Sequence, residues 1–422
     1  MDEMDRKLRA ISARLSPERP IRSSEFLRGR SGDLEKIERE LRYFHAVPFI
    51  YGHRGVGKTS LARTAAQMVT KPDREHIYIA CPPGSRMLHI FREIAEELMK
   101  LIFRLRDVQM ILKQVDVELS MSPSIKTSFE RRTPKLDSFD NISTAIRVLR
   151  ELDSLLPGAE STVIVLDELE ELEDRDRSDL AYLIKQVGDQ EFKVKFILVG
   201  IAQNVHELIG AHESVPRYTK EVALQPLMPQ DLMDIVSSAA KEIGIEVPNH
   251  ILYRIAIIGN GFPHFAHLMG KALLVAAVLS GQESITDAVY KKGVSDAIAD
   301  SYEELRAAYE AATQRRDDYY KHLLWSLAHS DVVDVRIGEW LRLYDELASK
   351  YHWPVVPVER LRTAIGNFKS ESYGEIIVNT PARYGSAEMR YRYKRFNKML
   401  MRGQVRLAAE NEGVALGREA GL

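Results

Sequence analysis

The sequence predicts an α/β fold: a parallel sheet with helices on both faces, then an all-α region, then a C-terminal module of three helices and a hairpin. Three observations predict it. Short apolar runs alternate with amphipathic helical stretches between Val47 and Val199. The first of these runs leads into Gly52-His53-Arg54-Gly55-Val56-Gly57-Lys58-Thr59, which fits the phosphate-binding pattern G-x-x-x-x-G-K-[ST]. After Pro226 the strand-like runs stop, and they return only near Glu375.

Residues 1–24 read as a charged lead-in helix and a Pro-containing linker. Phe26-Leu27-Arg28-Gly29-Arg30 precedes a helix from Asp33 to His45. Val47 to Tyr51 is a short buried strand, and Lys58 to Val69 a helix with Leu61, Ala65 and Met68 at helical spacing. His76 to Cys81 reads as a second strand. Met87 to Arg104 is an amphipathic helix with Ile90, Ile94, Leu98 and Leu101 on one face. Val115 to Leu119 and Ile125 to Phe129 alternate around Ser122-Pro123-Ser124, which predicts a projecting hairpin. A helix from Asn141 to Leu155 precedes the continuous apolar strand Thr162 to Leu166, of the kind buried in a parallel sheet. A helix through Leu180 to Ile184 leads to the strand Val194 to Val199. Residues 227–315 read as helices throughout. From Asp317 come three helical stretches, then Glu375 to Asn379 and Met389 to Tyr393 around a turn at Ala382 to Gly385. Three helices and a hairpin are the winged-helix arrangement.

The chemistry concentrates at the ends of the apolar strands. Glycines let the loop backbone close around a polyphosphate, with Gly52 to Ser60 as its binding residues. Lys58 can reach the β- and γ-phosphates, and the Thr59 hydroxyl can ligate Mg²⁺. The following helix directs its positive end at the same place. Val163 to Leu166 runs straight into Asp167 and Glu168. In this context Asp167 would hold Mg²⁺ and Glu168 would polarise the attacking water. Adjacent acids in a strand point to opposite faces, so both can serve one site only if the strand end bends. Read without that context, the pair opens the acidic run Glu170, Glu171, Glu173, Asp174. At Val199-Gly200-Ile201-Ala202-Gln203-Asn204, either Gln203 or Asn204 could meet the γ-phosphate or position water, and Asn204 serves equally well as a helix N-cap.

On these residues the chain resembles an AAA+ ATPase. It is similar to the initiator branch, the origin-recognition and helicase-loader proteins, and to bacterial relatives that include transposition ATPases. The resemblance rests on Leu27-Arg28-Gly29-Arg30, the phosphate loop, Leu166-Asp167-Glu168, the Gly200 strand tip, the helical lid and the winged-helix tail, over roughly residues 24–406. It implies an α/β nucleotide domain at 25–226, a lid at 227–315, a winged helix at 316–410 and a tail at 411–422. It implies ATP and Mg²⁺ as cofactors, with slow hydrolysis stimulated by assembly into a ring or filament. It places Leu27 to Arg30 near the adenine, and it puts Arg217 where an arginine finger reaches a neighbouring subunit. Read alone, Arg217 is an arginine in a loop, and a surface role suits it as well. In Gly259-Asn260-Gly261-Phe262-Pro263-His264-Phe265, His264 or Pro263 stands where such ATPases carry a second-sensor arginine, so His264 becomes the nucleotide-facing candidate there. His264 and His267, three apart, lack a third partner for a metal.

From Pro381 to Arg406 the bases Arg383, Arg390, Arg392, Lys394, Arg395, Lys398, Arg402 and Arg406 face a single acid, Glu388. Arg390, Arg392 and Lys394 alternate and would project from one strand face toward phosphates. Val358 to Phe368, carrying Arg360 and Arg362, is the candidate groove helix. Double-stranded DNA is the expected partner, with protein binding as the other use of such a module. The net charge of -2 requires any nucleic-acid surface to be local. One cysteine, Cys81, excludes an intrachain disulfide and reads as a buried thiol. The N-terminus lacks an apolar signal core, and Ile251 to Leu279 is interrupted by Arg254, Asn260, Pro263, His264, His267 and Lys271. A cytoplasmic protein without membrane contact is expected. The function so read is an ATP-hydrolysing switch that assembles on DNA. The alternatives are an ATP-dependent sensor in defence or signalling whose winged helix binds protein, and an ATP-gated scaffold that does not hydrolyse.

Overall fold

Five strands, β1 (Val47–Tyr51), β2 (Ile77–Ala80), β3 (Val163–Asp167), β4 (Lys195–Gly200) and β5 (Thr219–Ala223), form one parallel sheet in the order β2-β3-β4-β1-β5. The computed structural model describes residues 3–17, 20, 27–44, 46–70, 75–105, 141–156, 162–189, 192–201, 215–380 and 393–417. The expected hairpin at 115–129 lies outside the described residues, as do Phe26, Gln203, Asn204, Arg383, Arg390 and Arg392. The chain divides into two compact units: Pro20–His53 with Gly57–Gln225, and Met1–Arg19 with Arg54–Val56 and Pro226–Leu422.

In the first unit the helices are α2 (Ser31–Tyr43), α3 (Lys58–Val69), α4 (Met87–Leu105), α5 (Ile142–Leu155) and α6 (Arg177–Asp189); α1 (Glu3–Arg14) belongs to the second. Helices α2 and α3 cover one face of the sheet. Phe49, Ile164, Leu166, Phe196 and Leu198 alternate onto the other face and share a core with α4, α5 and α6. Ile50, Val163, Val165, Ile197 and Val199, the intervening positions, are equally buried. A sheet covered on both faces accounts for the unbroken apolar runs. Each such side chain stabilises by about 1.5–3 kcal/mol on burial. Helix α5 starts where Asn141 accepts a hydrogen bond from the Thr144 amide at 3.0 Å. Strand β5 completes an edge that the sequence shows only as the apolar end Val222-Ala223-Leu224. Met68, at helical spacing in α3, is exposed; the buried face of that helix runs through Leu61, Ala62, Ala65 and Ala66.

In the second unit α7 (Pro229–Ile243), α8 (Asn249–Gly259), α9 (Pro263–Leu279), α10 (Asp287–Ala299) and α11 (Glu303–Thr313) follow one another. Pro229 and Pro263 sit in first turns, where the missing N–H costs nothing. Between α8 and α9 the chain reverses through left-handed Asn260 and Gly261. A Cβ on Gly261 would lie 2.4 Å from the Cβ of Pro226, so the turn needs glycine for space as well as for its φ. Helix α9 is buried nearly all round. No helix among the described residues is long and apolar enough to cross a membrane. Helix α1 is not a detached lead-in: it packs on α7 and α9, with Ile11 and Leu15 fully buried.

The C-terminal part runs α12 (Tyr319–His329), β6 (Val335–Arg336), α13 (Ile337–Tyr351), α14 (Val358–Asn367), β7 (Ile377–Asn379), β8 (Tyr393–Phe396) and α15 (Met401–Asn411). The three strands form an antiparallel sheet in the order β6-β8-β7. Trp325, Trp340 and Phe368 fill its core, and the Trp340 indole donates to the Leu323 carbonyl at 2.8 Å. Strand β8 was expected at Met389 to Tyr393; among the described residues it occupies Tyr393–Phe396, and β6 was not foreseen.

Three basic residues need correcting. Lys394, expected on the outer face, is buried, and its ammonium donates to Asn379 Oδ1. It lies on the middle strand, where pairing on both sides and packing below leave only Tyr393 and Arg395 partly exposed. Arg402 and Arg406 are buried as well, on the all-round buried α15. Arg406 donates to the carbonyls of Ile257 at 2.6 Å and Ala328 at 2.8 Å, which lie in the last turns of α8 and α12. These are orphan carbonyls at negative helix ends, so a cation is the fitting partner. The expected tail at 411–422 is also packed in part: Leu416 is fully buried and the Gly417 amide meets His329 Nδ1 at 3.1 Å.

Candidate nucleotide site

The order β3-β4-β1 sets the C-terminal ends of three strands side by side, with the phosphate loop following β1 and Asp167 closing β3. The loop after β1 turns through Gly52, Gly55 and Gly57, all with positive φ. Gly57, at φ 99°, is also the N-cap of α3, so the loop amides and the helix end converge on one place. Lys58 is buried, and its ammonium donates to the Gly52 and His53 carbonyls at 3.1 Å each. The cation is thus held inside the curl of the loop. His53 and Arg54 are exposed, whereas Val56 is buried.

Thr59 Oγ1 donates to Asp167 Oδ2 at 2.6 Å. Two motifs 108 residues apart therefore meet at one hydrogen bond. Asp167 is 2% exposed, and Oδ1 accepts from the Glu168 amide at 2.8 Å. Glu168 follows in the left-handed conformation, φ 59° and ψ 40°. A non-glycine residue there is uncommon. The bend interrupts the strand alternation that would send the two acids to opposite faces, as the shared-site reading requires. Glu168 is exposed while Asp167 is buried.

The acidic run after Leu169 is more than a solvated face. Glu170 accepts from the Ile201 amide at the tip of β4, at 2.8 Å. Buried Asp176 takes the guanidinium of Arg86 at 2.6 Å. These pairs fasten the segment leaving β3 to its neighbours.

Sequence reading missed Tyr78. Its hydroxyl donates to Asp167 Oδ2 at 3.0 Å, and the Arg63 guanidinium lies 4.2 Å from the centre of its ring. Burial, then the charge of Asp167, raises the phenol pKa, so it stays a donor. The alternation Ile77-Tyr78-Ile79 placed one polar tip on a strand next to the Asp167 strand, which was the available signal. Cys81 is fully buried, and burial followed by the charge of Asp167 pushes its thiol up to about 12. That is an inert thiol, as its position suggested.

Other candidates lie elsewhere. Arg30 is buried at the start of α2 and donates to the Gln225 carbonyl at 2.7 Å, so it ties the entry segment to the end of β5. Arg217 is exposed just before β5, where Thr219 pairs with Val47 at the start of β1. The phosphate loop leaves the other end of β1, roughly 13–17 Å away. Arg217 therefore cannot serve the loop of its own chain. His264 begins α9 in the second unit, stacked on Tyr302 with ring centres 4.1 Å apart.

Residues 45–209 match a family described as the AAA domain. This stretch is an AAA domain. The chain is similar in fold to the Walker-type ATPase of Pyrococcus abyssi, 20% identical, over 92% of this chain and 99% of that one, with a TM-score of 0.50. Weaker likenesses are to Cdc6p from Pyrobaculum aerophilum (16% identity, 95% and 97% covered, TM-score 0.45) and to the Orc1 protein of Aeropyrum pernix in complex with DNA (16%, 92% and 93%, TM-score 0.43). No curated protein sequence matches the chain.

An AAA domain implies a nucleotide and a divalent cation, and the residues fit both. Thr59 and Asp167 offer hard oxygen donors in direct contact, and Lys58 offers a cation within the loop. Among the described residues no group of three or more His, Cys, Asp or Glu could hold a metal alone. Mg²⁺ is usually bound by one or two protein oxygens together with phosphates and water, and Thr59 and Asp167 supply two such oxygens.

Proposed function

We propose that this chain is an ATP-hydrolysing switch of the initiator type, in which nucleotide state governs assembly of protomers and their engagement of DNA. The observation that carries the ATPase part is the Thr59–Asp167 hydrogen bond beside the Lys58-filled loop. Lys58 neutralises the terminal phosphates. Thr59 and Asp167 hold Mg²⁺, which supplies charge stabilisation to the transferred phosphoryl group. Glu168 orients and deprotonates the attacking water. Arg217, at the far end of the sheet, acts on a neighbouring protomer. We read residues 319–396 as a winged helix because helix, strand, two helices and two strands follow in that order. Its groove helix is α14, with exposed Arg360 and Arg362.

A second reading has its own support. Lys394, Arg402 and Arg406 are turned inward, Lys398 pairs with Glu304, and Arg360 and Arg362 face Asp317 and Glu359. A module with so much of its described basic charge spent internally suits a protein partner, with the chain working as an ATP-dependent sensor. The buried thiol fits a reducing, cytoplasmic setting. Size measurement with and without ATP·Mg²⁺ and duplex DNA separates the readings. The switch reading expects ATP-dependent growth that duplex enhances. Growth with ATP but indifference to duplex at low salt favours the sensor, and no response to ATP overturns both.

A further inference from the structure

Helix α3, strand β2 and strand β3 close a small ring of contacts around the Asp167 carboxylate. Thr59 and Arg63, one turn apart on α3, reach different members of it. Thr59 Oγ1 donates a hydrogen bond to Asp167 Oδ2 at 2.6 Å, and Arg63 covers the Tyr78 ring at 4.2 Å. Tyr78 closes the ring with its own 3.0 Å hydrogen bond to Oδ2. The β2–β3 register, with Tyr78 beside Val165 and Ala80 beside Asp167, fixes the phenol alongside the acid. Oδ2 thus accepts two hydroxyls, while Oδ1 accepts the Glu168 amide.

We propose that Tyr78 is a positioning residue for the cation site, with Arg63 holding its ring. This rests on the nucleotide reading given above. For Thr59 to ligate a cation, its oxygen lone pairs must face the metal and its proton must go elsewhere. Asp167 Oδ2 accepts that hydrogen bond only while the carboxylate keeps its rotation. Thr59 itself must be free to adjust as the cation binds, so it cannot be the anchor of that rotation. The Glu168 amide fixes one oxygen, and Tyr78 fixes the other from the neighbouring strand. Outer partners of this kind commonly change metal affinity by roughly 10- to 100-fold when removed. A hydroxyl shared with a second donor belongs at the lower end of that range.

The test is titration of a fluorescent ATP analogue into the full chain, first in EDTA and then against Mg²⁺. Tyr78→Phe keeps the ring and the Arg63 contact and removes only the hydroxyl. We expect analogue affinity in EDTA within twofold of wild type, and a Mg²⁺ half-saturation roughly tenfold higher. Arg63→Lys, which keeps a cation over the ring, should stay near wild type, whereas Arg63→Met should shift Mg²⁺ half-saturation in the same direction as Tyr78→Phe. An unchanged Mg²⁺ midpoint in Tyr78→Phe overturns the proposal. So does equal weakening with and without Mg²⁺, which would mark a structural loss. If wild type fails to bind the analogue in EDTA and in Mg²⁺ alike, the nucleotide reading itself falls, and this inference with it.

Discussion

The nucleotide site and the basic C-terminal stretch were both marked by charge in the sequence, and folding treated them differently. At the phosphate loop the motif residues come together: Lys58 is held by the loop carbonyls, Thr59 meets Asp167, and Glu168 follows at the bend. In the C-terminal stretch, Lys394, Arg402 and Arg406 went inside and became structural. The difference lies in what each pattern constrains. The loop motif fixes backbone geometry, because its glycines and its helix N-terminus permit few conformations. A count of arginines fixes nothing about orientation, and a long guanidinium can be buried wherever several carbonyls wait for it.

Six substitutions would break or sharpen that contrast. The largest effect belongs to Lys58→Ala, which should take ATP binding beyond detection in a titration, a loss of at least about 4 kcal/mol or a thousandfold. Wild-type affinity in that variant would remove the loop from the site. Arg406→Met comes next. It strands carbonyls at the ends of α8 and α12 and should lower unfolding stability by about 2–3 kcal/mol. An unshifted denaturant midpoint would mean that the guanidinium is not structural and that the surface count deserved more weight.

Glu168→Gln should still bind ATP and turn it over at least tenfold more slowly, about 1.4 kcal/mol in barrier. Unaltered turnover would leave Glu168 as a bend residue only. The smallest effects concern DNA. Arg360→Gln and Arg362→Gln should each reduce the slope of log affinity against log salt by about 0.9 if the side chain touches a phosphate. Lys394→Met should leave that slope unchanged, because the ammonium is already bound to Asn379. A slope that falls in Lys394→Met would restore the wing face as the contact surface.

Much of the α/β unit was legible because it is written in local periodicity. The apolar runs at Val47, Thr162 and Val194 could only be strands covered on both faces, and Lys58 to Val69 and Met87 to Arg104 showed their helical spacing directly. Strand β5 was hidden, since an edge strand with half-buried Lys220 and exposed Glu221 at its centre lacks an apolar run. Strand β6, two residues long, has no periodicity to read. In the site, Lys58, Thr59, Asp167 and Glu168 came from motif chemistry alone. Tyr78 and Arg63 did not, because a hydrogen bond and a ring contact between separate elements leave no spacing in the chain.

The sequence by itself determined the residues that can hold a polyphosphate and a cation, since that chemistry needs particular side chains on a particular loop and strand end. Only the tertiary structure decided which charges are available to a partner. Burial depends on what each side chain meets from distant elements: Asn379 for Lys394, the ends of two helices for Arg406, a tyrosine ring for Arg63. A charge is worth burying only when such partners converge on it, and convergence is a property of the fold rather than of any stretch of sequence.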